Sequence, residues 1–200
     1  MKKGYWIIAP ILGMLYITTT SGVEEEVKTI KTDIFTVEYS EDFQQPLKLD
    51  YWVQCPGDGV SRKGLDFYEV EGVLTSDDED YKNNVWDKGH LAPAADFNCD
   101  REMLKKTFSY LNCALQHEGL NRGPWRMLED YERELALRND TVWVNIVVHF
   151  DKDSVLPTGA KIPSGFTKTL KYGDSVQVYT FPNEDVRRED WRNFKVVENN

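Results

Sequence analysis

Val142 to Phe150 (VWVNIVVHF) is a near-continuous apolar run rich in β-branched residues, and such a run suits a strand at the centre of a sheet. Just before it lies the strongest helical pattern in the chain, Asn121 to Arg138 (NRGPWRMLEDYERELALR). Asn121 is suited to cap this helix, which puts Pro124 in the first turn, where its missing N–H costs nothing. At about 100° per residue, Trp125, Leu128, Glu132 and Leu135 share one side, while Arg122, Arg126, Glu129 and Arg133 gather on an adjacent side. A helix with an apolar stripe beside a charged one packs on a sheet and leaves its charges next to the contact.

The other elements are shorter. Ile34 to Ser40 (IFTVEYS) alternates and reads as a strand, Asp50 to Gln54 as a second, and Leu65 to Leu74 (LDFYEVEGVL) as a longer one. Asp100 caps a short helix through Lys106, and Thr107 to Leu115 and Val176 to Phe181 are further strands. Pro56 to Gly59 and the stretch TSDDEDYKNN after Leu74 are loops. The expected class is α+β, a mostly antiparallel central sheet with helices packed on it.

The 200 residues, 40% hydrophobic and 12% aromatic, suffice for one core, expected at residues 34–200. Lys2 and Lys3 precede an apolar run from Gly4 to Ile17 that Pro10 interrupts, then TTTSG. This is the layout of a secretory signal: residues 1–22 read as a signal peptide or an N-terminal anchor, and 23–33 as an acidic linker. The run is shorter than the roughly 20 residues needed to span a bilayer, so no stable membrane domain is expected beyond that anchor. The chain is therefore expected to be exported, secreted or periplasmic. Of Cys55, Cys99 and Cys113, one pair can form a disulfide in such a setting and one thiol is left over; the sequence does not say which. Their spacing, with His90, His117 and His149, matches no structural zinc pattern.

A net charge of -10 opposes a polyanionic partner, but the charge is uneven: Lys82 to Arg138 holds nine Lys/Arg against nine Asp/Glu. That balanced stretch contains the distinctive motifs. Asp87-Lys88-Gly89-His90 is followed by LAPAADF and, some thirty residues after His90, by LNRGPWRMLEDYER. The first resembles the DRGH signature of the DNA/RNA non-specific endonuclease family, the ββα-metal or His-Me finger nucleases; the second is similar to that family's metal-binding helix. The order and separation of the two motifs carry the resemblance, which runs from about Arg62 to Phe150.

The resemblance implies a ββα-metal site cutting DNA and RNA alike to 5′-phosphate products. His90 corresponds to the general base, and a neutral imidazole suits that task; the bland reading is a buried structural histidine. Asn121 corresponds to the direct ligand of Mg²⁺, with Mn²⁺ as a substitute; its competing role is the helix cap. Glu129 corresponds to the acid that holds metal-bound water, against an ordinary surface ion pair with Arg126 or Arg133. Arg133 and Arg62 correspond to the arginines that meet the phosphate, with Lys63 competing for the place of Arg62. Arg122, Arg126 and Lys88 are expected to contact the substrate backbone, and Asp87 to support the His90 strand. His117 reads as a polar loop residue.

Three departures stand out. Lys88 replaces the arginine of DRGH and loses its planar fork. NIVVHF lacks an expected Thr-Gly-Pro turn, and Leu115 precedes Gln116 where proline is usual. The alternative is a catalytically silent, exported nucleic-acid-binding protein of the same fold; a toxin-like effector ranks last, since no delivery domain is visible.

Overall fold

The structure, a computed structural model, describes residues 27–56, 59–139 and 141–197. The leader expected at residues 1–22 lies outside these, and among the described residues no helix is long and apolar enough to cross a membrane.

Six strands form one sheet in the order β1 (Val27–Lys31), β2 (Phe35–Ser40), β3 (Gln45–Trp52), β6 (Trp143–His149), β7 (Gly165–Tyr172) and β8 (Ser175–Pro182). Each neighbouring pair is antiparallel, as the expected class requires. The run from Val142 supplies β6 near the middle, but only one of its faces is fully buried: Val144, Ile146 and Val148 are in the core, while Trp143, Asn145 and Val147 are half-buried. A separate antiparallel ribbon of β4 (Trp86–His90) and β5 (Cys113–His117) and the helix α3 (Arg126–Asn139) complete the core. There Trp125 meets Phe166 and Phe181, and Tyr51 meets Phe97.

Several expectations are corrected. The linker assigned to 23–33 contains β1, whose alternation of exposed and half-exposed residues is that of a polar edge strand, with Lys28 and Lys31 on it. β3 begins at Gln45, well before Asp50; Pro46 hides its start, sitting where the register with β2 shifts. Leu65 to Leu74 is not a strand. Only Tyr68 forms a bridge, to Ser109, because no partner strand lies alongside; Leu65 and Phe67 instead pack on Ala94, Leu104 and Phe108. Thr107 to Leu115 is a strand only from Cys113; before it a loop leads into the 3-10 turn Tyr110–Asn112, and the Asn112 side chain clasps this stretch by bonding the backbone of Ala92 and Thr107. β7 went unanticipated because Lys168 interrupts its apolar face. α1 (Arg101–Lys106) is as expected, capped by Asp100 through the amides of Glu102 and Met103, both at 2.9 Å.

Cys55 pairs with Cys99, their Cα atoms 5.5 Å apart, and Cys113 is a buried thiol. The bridge closes the loop carrying Arg62 and His90. Replacing both cysteines with alanine is expected to cost about 2–4 kcal/mol in urea unfolding, through the freedom returned to the unfolded chain.

Candidate active site

The ribbon and the following turn bring the motifs together. In the ribbon His90 lies opposite Cys113 and Asp87 opposite Gln116. Position 89 must be glycine: a Cβ there would fall 2.5 Å from the Cβ of Gln116. From β5 the chain enters a single helical turn, α2 (Glu118–Leu120), capped by His117, whose Nδ1 accepts from the Gly119 amide at 3.0 Å. A wider turn, Asn121–Trp125, then leads into α3. It exists because Gly123 leaves helical geometry where the C-terminal segment presses in; a Cβ there would stand 3.0 Å from Arg187 Cα.

Asn121 is therefore not the helix cap. Its backbone is already helical, and its side chain is released for another use. Asn121 Nδ2 donates to Asp87 Oδ2 at 2.8 Å; since a carboxylate only accepts, the amide is oriented with Oδ1 away from Asp87. Among the described residues no donor reaches that Oδ1. Asp87 also grips Arg122 with two bonds, Nε to Oδ2 at 2.8 Å and Nη2 to Oδ1 at 2.6 Å.

All nine residues singled out in the sequence lie on the wall of one cleft of about 810 Å³, and Lys63 lies there too. His90 is held between the rings of Phe67 and Phe108, with centroids 4.8 and 5.0 Å away. Burial, and then Arg62, push its pKa down to about 3, so the imidazole is neutral. Its Nε2 is sealed from solvent and has no hydrogen-bond partner among the described residues. Burial raises Glu129 to about 7, with Lys168 pulling the other way; a carboxyl so placed gains from a nearby cation. Lys88 is paired with Asp78 and stands over Phe67 and Tyr110, so its ammonium braces the wall around His90. Arg133 donates to Asp96 at 2.9 Å and is also paired with Asp130.

Asp96, Glu132 and Lys168, buried ionisable side chains beneath this wall, are absent from the sequence-based expectation of the site. The available signals were faint: an acid in HLAPAADF, an acid on the apolar side of a helix, and a lysine in register with Phe166 and Leu170.

A sequence model of the family described as DNA/RNA non-specific endonuclease matches residues 32–199. The mitochondrial nuclease EXOG of Danio rerio is 37% identical over 75 residues, 38% of this chain and 22% of that protein. Mitochondrial endonuclease G of Bos taurus is 35% identical over 91 residues, 44% of this chain and 30% of its own. A nuclease of Nostoc is 28% identical over 129 residues, 58% and 47% of the two chains. The matched segment thus spans less than half the length of each of these relatives. A crystal structure of an EndoG/EndoGI complex shares the fold, with a TM-score of 0.75 at 22% identity, over 84% of this chain and 80% of the other.

The low pKa of His90 has a sign that can be checked. Between its ordinary 6.5 and about 3, the unfolded chain binds a proton that the folded chain refuses, so stability falls as pH drops through that window. His90→Gln is expected to lose less stability than the wild type between pH 7 and 4, by on the order of 1–3 kcal/mol in urea titrations.

Proposed function

Since the chain belongs to the DNA/RNA non-specific endonuclease family, we propose that it is a metal-dependent, sugar-non-specific endonuclease that hydrolyses phosphodiester bonds of DNA and RNA to 5′-phosphate products. The observation that carries this reading is the convergence of a neutral, aromatic-clamped His90 with Asn121, Glu129, Arg62 and Arg133 on one cleft.

His90 is the general base. With Nε2 sealed, Nδ1 is the nitrogen left to take the proton of the attacking water. Arg62 and Arg133 hold the phosphate and spread its developing charge over their guanidinium groups. Arg122 and Arg126 face the flanking backbone, Arg122 steadied by Asp87, while Lys88 lends its charge from within the wall. Guanidinium and ammonium groups recognise phosphates, which DNA and RNA share, so both serve as substrates in this reading. Asn121 Oδ1, left without a donor, and Glu129, acting through water, fit Mg²⁺, which keeps most of its own water shell; Mn²⁺ substitutes. A cation held by these residues would supply positive charge against the phosphate and the leaving oxygen.

Export is part of the same reading. The relatives above include proteins named as mitochondrial, but here a signal-like start accompanies the Cys55–Cys99 bridge, which fits an oxidising setting. Fractionation of the source cells should find the protein outside the cytosol.

Purified protein should nick supercoiled plasmid and degrade total RNA with Mg²⁺ and not in EDTA. His90→Ala should lower the rate by roughly 10²–10⁴-fold. A folded wild-type protein that cuts neither substrate with Mg²⁺ or Mn²⁺ would turn the reading to the silent nucleic-acid-binding alternative.

A further inference from the structure

Asp96 has no role in the chemistry above, yet it is wholly buried, six residues beyond His90 in the turn Ala94–Phe97. Its Oδ1 accepts from Arg133 Nη1 at 2.9 Å, while its Oδ2 is sealed from solvent without a partner among the described residues. The neighbouring Glu132 has both oxygens engaged, by the Tyr51 hydroxyl at 2.6 Å and the Lys168 ammonium at 3.0 Å. Burial, then the Glu132 carboxylate, push Asp96 well above the ordinary carboxylate range, against the pull of Arg133.

A buried carboxyl with one idle oxygen lowers stability. An amide of the same shape would keep the acceptor and could donate where the carboxylate only repels. What the amide would lack is an ionisable group held against Arg133, whose guanidinium favours the charged form of Asp96 against burial and Glu132. That guanidinium touches two acids. Asp130 is 56% exposed and on the same helix, so it restrains little; Asp96 is fixed. The Asp96 carbonyl accepts from the amides of Gln54 and Cys55, at 3.1 and 2.8 Å, which anchors the turn to the end of β3. The turn that leads on from the imidazole therefore also sets the direction of the guanidinium.

We propose that Asp96 is a positioning residue that aims the Arg133 guanidinium into the cleft and lowers the stability of the fold in doing so. The proposal rests on the reading of Arg133 as a phosphate-binding residue.

Wild type, Asp96→Asn, Arg133→Lys and the double variant would be compared for cleavage of an oligonucleotide with Mg²⁺, for thermal midpoint, and for the order of the Arg133 side-chain Nε by NMR relaxation. Asp96→Asn is expected to melt at or above the wild-type temperature while kcat falls roughly 10–100-fold, the scale of a misplaced contact. Added to Arg133→Lys it should cost less than about threefold more, since both act through one group. The Arg133 Nε should gain motion. Unchanged kcat, an undiminished loss in the Arg133→Lys background, or unchanged Nε order would each overturn the proposal. So would a variant that melts lower or fails to fold, because Asp96 would then be holding the core. If the wild type itself cut nothing, the nuclease reading would fall, and the Nε order would still decide whether Asp96 positions Arg133.

Discussion

The carboxylate of Glu132 and the ammonium of Lys168 meet at 3.0 Å with neither side chain exposed to solvent. A pair so buried adds little net stability, because both ions gave up their water, but removing one partner alone is severe. Its consequence is geometric. Glu132 belongs to α3 and Lys168 to β7, and the Tyr51 hydroxyl, from β3, closes on the same carboxylate. One side chain thus references the helix to two strands of the sheet, with the ammonium lying over the Trp125 ring as well. The helix cannot roll without leaving an unpaired charge in the core, and the rotation it is held in is the one that turns Glu129 and Arg133 to the cleft.

Local chemistry was legible in the sequence; chemistry that depends on distant chain was not. Asp87 to His90 and Asn121 to Arg133 could be read because each motif carries its own spacing. Asp100 declared its helix because a cap acts within three residues. Asn121 looked like a cap for the same reason, and what removes it from that role is remote: the C-terminal segment at Asp185 and Arg187, against which Gly119 and Gly123 must lack side chains. Leu65 to Leu74 alternates like a strand, yet alternation shows only which residues turn inward, and there they turn onto His90 and its neighbours. The roles of Lys168 and Glu132 are hidden in the same way, each a charge at an apolar register whose partner lies elsewhere in the chain.

The overall acidity does not describe the cleft. Six cationic side chains line it, Arg62, Lys63, Lys88, Arg122, Arg126 and Arg133, against the acids Asp87, Glu129 and Asp130. A net charge of -10 on the whole chain therefore surrounds a locally positive hollow. At physiological salt such a field fades within roughly 8 Å, so attraction acts on a phosphate already near the wall and repulsion on one still approaching.

The thiol of Cys113 is cross-strand from His90 and wholly buried, 3.2 Å from the Tyr81 hydroxyl. Burial pushes it up to about 12, which leaves it without thiolate at neutral pH. Attack on a disulfide requires a thiolate with access to the sulfur, and Cys113 has neither. An odd cysteine is a hazard during oxidative maturation, since it can open a correct bridge and reseal a wrong one. Here closing the β4–β5 ribbon withdraws the third sulfur from the exchange, so the Cys55–Cys99 pairing, once the fold has formed, is safe from internal shuffling.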